Sequence, residues 1–119
     1  MPARGQSERP PEPIRVLLVC AGGMSSSLLE SRIQKAAEAA GIALTVRAVP
    51  AGIVTYWNPD KIDYDLVLVA PQVRFAQRGI EKAVGPHGVI VQMIDSMAYG
   101  MADGEKILQQ IVAAIKETE

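Results

Sequence analysis

A chain of 119 residues, 49% apolar and 4% aromatic, is long enough for one globular domain around a single core. Its 12 Lys and Arg against 13 Asp and Glu leave a net charge of −1, which excludes the basic footprint of a nucleic-acid binder, and the few aromatics exclude a base-stacking platform. The one cysteine excludes an internal disulfide framework, and no apolar run approaches the roughly 20 residues of a bilayer span or forms a signal-peptide core, so the expected setting is cytoplasmic, without direct membrane insertion.

Met1 to Pro13 set Pro2, Pro10, Pro11 and Pro13 among charged and small polar residues, a tail expected to stay disordered ahead of a domain over residues 14–119. Ile14 to Val19 is an unbroken apolar run apart from Arg15, which reads as a strand buried on both faces with Arg15 reaching solvent. A first helix is predicted from about Met24 to Ala40. Its inner stripe is Leu29, Ile33, Ala36, Ala37 and Ala40, its wet sides are Glu30, Arg32, Gln34, Lys35 and Glu38, and Gly41 stops it. Ile42 to Val49 alternates Leu44, Val46 and Ala48 against Thr45 and Arg47, the pattern of an edge strand. Between Pro50 and Tyr64, the residues Ile53, Val54, Tyr56 and Trp57 suggest a short helix on the sheet, followed by a turn at Asn58-Pro59-Asp60.

Asp65 to Ala70 reads as a third, buried strand, broken at Pro71-Gln72. Val73 to Val84 then reads as a helix perturbed by Gly79, Gly85 to Gly88 as a turn, and Val89 to Ile94 as a fourth strand. Asp95 to Gly100 is expected to be a loop or a turn of helix, with Asp95 and Ser96 as capping groups. Asp103 caps a last helix to about Lys116 that turns Ile107, Leu108, Ile111, Val112 and Ile115 inward. Strands alternating with helices imply an α/β fold, a doubly wound, phosphatase-like four-stranded parallel sheet of order 2-1-3-4 with helices on both faces. Ligands of such sheets sit beyond the carboxyl ends of the strands, where the connections diverge, here between strands one and three. That places the loop after Val19 beside Pro71-Gln72.

The loop is Cys20-Ala21-Gly22-Gly23-Met24-Ser25-Ser26-Ser27. A helix N-terminus leaves N–H groups unpaired and favours both an anion and a thiolate. Gly22 and Gly23 permit a tight curl, and Ser25, Ser26 and Ser27 add hydroxyl donors, so Ala21 to Ser27 read as a phosphate cradle with Cys20 as a nucleophile at its lip. The plainer reading of Cys20 is a small buried hydrophobe at a strand end. A cysteine phosphatase needs an Arg shortly after the nucleophile, yet Ala21 to Leu29 contain no Arg or Lys, and Arg32 lies two turns into the helix. The cradle is therefore suited to holding a phosphoryl group and handing it on. His87 falls in a Gly-Pro turn at the far end of the sheet. One Cys and one His offer no metal-ligand spacing, and no cofactor is expected.

The run Cys20 to Leu29 resembles the phosphorylation-site loop of the lactose/cellobiose-class enzyme IIB components of the bacterial sugar phosphotransferase system, which reads roughly Cys-Ser-Ala-Gly-Met-Ser-Thr-Ser-Leu-Leu. Ala70-Pro71-Gln72-Val73 resembles the family's Gly-Pro-Gln segment, and Ile94-Asp95-Ser96 with Tyr99-Gly100 resembles the end of its fourth strand. The resemblance runs from about Ile14 to Lys116. It implies that Cys20 accepts a phosphoryl group from a phosphohistidine of enzyme IIA and passes it to a sugar carried by membrane enzyme IIC. It implies further that Ala21 to Ser27 bind the phosphate and that Pro71 and Gln72 line the neighbouring loop. Ala21 stands where the family commonly has Ser, so one hydroxyl donor is missing. The alternatives are a cysteine phosphatase and a phospho-sensing domain of the same fold that transfers nothing.

Overall fold

The computed structural model describes residues 13–21, 24–51 and 64–117. The expected N-terminal tail, Gly22 and Gly23, the side chains of Met24, Ser25 and Ser26, and the expected helix around Ile53 to Trp57 lie outside the described residues. Four parallel strands, β1 (Ile14–Cys20), β2 (Leu44–Pro50), β3 (Leu66–Val69) and β4 (Ile90–Met93), lie in the order β2-β1-β3-β4. β1 and β3 are the inner pair and are apolar almost throughout because helices cover both faces. β2 sits at an edge, and its outward Thr45 and Arg47 are exposed, as the alternation requires.

Helix α1 (Met24–Ala40) lays Leu29, Ile33 and Ala37 on the core, and Gly41 ends it with φ +71°, a left-handed conformation that glycine adopts without strain. Helix α4 (Gly104–Glu117) buries Ile107, Leu108, Ile111, Ala114 and Ile115 beside it. Asp103 starts α4 by accepting a hydrogen bond from the Lys106 N–H at 3.1 Å. The two helices approach so closely that a Cβ built on Gly104 would fall 2.3 Å from the Arg32 carbonyl oxygen. Helix α2 (Gln77–Val84) belongs to the β3-to-β4 crossover. That crossover runs the opposite way across the sheet, so the right-handed rule puts α2 on the other face.

Three local readings change. The predicted helix from Val73 is two pieces: a 3₁₀ helix over Pro71–Ala76 and then α2, with the break at Val73 (φ −119°, ψ 27°) and Gly79 inside α2. Proline at the first position, with no N–H to offer, suits the tight start, and the kink lets Val73 bury while its neighbours turn out. Arg15 does not simply reach solvent. Its backbone N–H and guanidinium both bind Asp65, the one buried charged side chain among the described residues.

Glu30 and Gln34 are also not solvent groups. The Ile14 N–H donates to Ala43 O at 3.0 Å, so alternate residues of β2 turn their backbone groups away from the sheet. The Glu30 carboxylate accepts from the Ala48 N–H, and the Gln34 amide donates to Leu44 O at 2.7 Å. One turn of α1 thereby closes an edge that would otherwise invite another strand.

Candidate functional site

The carboxyl ends of the inner strands are level. Val19 pairs with Val69, the Ala70 N–H donates to Val19 O at 2.8 Å, and the Ile94 N–H donates to Val69 O at 2.9 Å. Cys20 therefore leaves β1 directly beside Ala70 and Pro71, at the point where the connections part to opposite faces. Pro71 is half-buried, Gln72 is exposed, and Ala21 and Ser27 are exposed on either side of the cradle stretch. The described positions thus bring together the cysteine, the flanks of the predicted cradle and the neighbouring loop.

Cys20 is not at an open lip; its burial is what the plainer reading, a small hydrophobe at a strand end, expected. It is 0% exposed and packs with the core cluster.

Arg32, the first basic residue after Cys20, is bonded to the turn before α4. One of its guanidinium NH groups donates to Ala102 O at 3.3 Å, tying α1 to the turn before α4. Asp95 is a cap: its carboxylate accepts from the Ala98 N–H at 2.9 Å at the start of helix α3 (Ser96–Gly100). His87 ends a short 3₁₀ turn ahead of β4, at the opposite end of the sheet from Cys20. Among the described residues no group of three or more His, Cys, Asp or Glu is placed to hold a metal ion.

A feature the sequence reading missed surrounds this end of the sheet. Five large apolar side chains are exposed among the described residues: Leu28, Phe75, Met93, Met97 and Met101. Leu28 is in the first turns of α1, Phe75 in the 3₁₀ helix after β3, Met93 at the end of β4, and Met97 and Met101 on and just after α3. All five belong to segments that leave the carboxyl edge, the same edge as Cys20. They leave it on both faces of the sheet, Leu28 and Met101 on the side of α1 and α4, and Phe75 ahead of α2. No periodicity in the sequence separates them from core residues. Only the topology brings them together.

A parallel sheet of this order, with a cysteine at its switch point ahead of a long helix, defines a doubly wound α/β domain with its candidate site at the carboxyl edge. The family model described as "PTS system, Lactose/Cellobiose specific IIB subunit" matches residues 15–110, and the chain belongs to that family of phosphotransferase-system components for sugar uptake. It is 34% identical over 99 residues to the oligo-beta-mannoside-specific EIIB component of Bacillus subtilis (strain 168), covering 83% of this chain and 93% of the relative. The solution structure of the cellobiose-specific IIB component of Borrelia burgdorferi is 35% identical with a TM-score of 0.67, covering 89% of this chain and 94% of that one. The lactose-specific IIB domain of Streptococcus pneumoniae superposes with a TM-score of 0.73 at 24% identity, covering 87% and 98% of the two chains, and so shares the fold. IIB components work with IIA and IIC partners, and no helix among the described residues is long and apolar enough to cross a membrane.

Proposed function

We propose that the protein is a phosphoryl carrier in which Cys20 takes the phosphoryl group from a phosphohistidine of IIA and delivers it to a sugar held by membrane-embedded IIC, working at the cytoplasmic side. The sugar class is an oligosaccharide of the cellobiose/lactose type, by analogy with the relatives' names. In the first step the Cys20 thiolate supplies the electron pair, an S–P bond forms, and the N–P bond breaks with the pair returning to the donor imidazole. In the second step a sugar hydroxyl oxygen attacks phosphorus, the S–P bond breaks, the thiolate is regenerated and the hydroxyl proton is released. Both steps depend on positioning and on stabilising charge over the phosphoryl oxygens. Ala21 to Ser27 would supply that stabilisation through backbone N–H groups and hydroxyls at the start of α1, with Pro71 and Gln72 as the neighbouring wall.

The observation that carries this reading is the placement of Cys20 beside Ala70 and Pro71, at the switch point of the sheet. A carrier is favoured over a phosphatase because Ala21 to Leu29 contain no Arg or Lys, and Arg32, the first basic residue after Cys20, sits two turns into α1 with a hydrogen bond to Ala102 O. The test is a two-stage transfer. Phosphorylated IIA should charge the protein, the charge should persist, and IIC with its sugar should discharge it as sugar phosphate. Steady release of inorganic phosphate without IIC would favour a phosphatase, and binding of phosphorylated IIA without any covalent label would favour a phospho-sensing domain.

A further inference from the structure

Phe75 is the most exposed large apolar side chain among the described residues, at 79%. The kink at Val73 buries Val73 and leaves Arg74 and Phe75 on the outside of the 3₁₀ helix. Helical spacing continues that outer face onto α2 through Arg78 and Lys82, both exposed. Glu81 is the one carboxylate on this stretch, and it accepts a hydrogen bond from the Gln77 amide at 3.2 Å. A protein with a net charge of −1 thus carries three cations along one face, next to an aromatic ring held out into solvent. The segment starts at Pro71, beside Cys20. An aromatic flanked by arginines has the composition that dominates binding energy in protein interfaces, and a basic face selects an acidic partner and speeds its approach.

We propose that Phe75 is the anchor by which the phosphodonor protein docks, its ring entering an apolar pocket on the donor rimmed by carboxylates that meet Arg74, Arg78 and Lys82. This rests on the phosphocarrier reading and assigns one face of the site to one partner. Phe75 is a binding residue. It holds the donor histidine near Cys20 and takes no part in bond making. Its exposure means that substitution leaves the core intact.

The experiment compares wild type, Phe75→Ala, Phe75→Tyr and the triple variant Arg74→Glu/Arg78→Glu/Lys82→Glu. It uses phosphorylated lactose/cellobiose-class IIA as donor, with thermal unfolding as the control for folding. Phe75→Ala should raise the KM for the donor roughly 10- to 100-fold and keep the rate at saturating donor, Phe75→Tyr should restore most of the affinity, and the charge-reversed triple variant should lower kcat/KM at low salt and invert its salt dependence. An unchanged KM in a folded Phe75→Ala protein overturns the anchor and leaves the carrier reading standing, as does an effect confined to the later transfer to IIC and sugar. Should the donor bind wild type without phosphorylating it, the carrier reading falls and titration of Phe75→Ala with the same donor still decides the anchor. A donor that neither binds nor phosphorylates wild type overturns both.

Discussion

Arg15 and Asp65 form a fork at the amino ends of the two inner strands. Arg15 Nε donates to Asp65 Oδ2 at 3.2 Å, Nη2 donates to Oδ1 at 3.0 Å, and the Arg15 backbone N–H donates to Oδ2 at 2.9 Å. The Asp65 N–H in turn donates to Arg15 O at 2.8 Å, so the pair locks the register of β1 against β3. The fork lies at the opposite end of the sheet from Cys20 and concerns stability alone. Asp65→Ala should cost about 2–3 kcal/mol, below the full value for a buried pair because Arg15 is 40% exposed and regains water. Urea unfolding checks this, and transfer from IIA at temperatures where the variant is folded should be unchanged.

Gly104 is where α1 and α4 touch backbone to backbone. A methyl group there meets the Arg32 carbonyl at 2.3 Å, and neither atom belongs to a side chain that can swing away. Gly104→Ala should therefore force the helices apart and cost about 1–3 kcal/mol, seen as a lowered unfolding midpoint.

The β2 edge gives a residue-level prediction. Glu30→Ala removes the acceptor of the Ala48 N–H and should destabilise the protein by about 1 kcal/mol. Hydrogen exchange at the Ala48 amide should quicken more than exchange across β3. Equal acceleration at both strands would mean that Glu30 acts on the whole fold instead of capping an edge.

At the other edge, Gln110 holds the start of α3. Its amide nitrogen donates to Met93 O at 2.8 Å and to Gln92 Oε1 at 3.1 Å, and its oxygen accepts from the Asp95 N–H at 3.1 Å. Asp95 then caps α3, which carries the exposed Met97. Asp95→Ala should cost about 1 kcal/mol and loosen the Ala98 amide in hydrogen exchange.

Much of the fold was legible because burial repeats locally. The unbroken apolar runs of β1 and β3 marked inner strands, the alternation of Leu44, Val46 and Ala48 marked an edge, and Gly41 and Asp103 marked helix ends. What stayed hidden depends on pairs distant in the chain. Glu30 and Gln34 look like solvent residues until β2 lies beside them, Asp65 at the head of a buried strand has no visible partner until Arg15 reaches it, and Gly104 is unremarkable without Arg32. The kink at Val73 escaped because an apolar period of three to four fits a 3₁₀ start as well as an α-helix. At the site, the strand–cysteine–helix order was readable and a buried Cys20 was one of two readings of a strand-end thiol, whereas the choice between them and the exposed apolar groups of the carboxyl edge required the assembled sheet.

The most direct measurement is the mass of the intact protein, followed by peptide mapping, after brief incubation with phosphorylated lactose/cellobiose-class IIA. The carrier account predicts the gain of one phosphoryl group, located on Cys20 and absent from Cys20→Ser, which should still fold and still bind the donor. A phosphoryl group on any other residue, or an unlabelled wild type that nonetheless binds IIA, contradicts it.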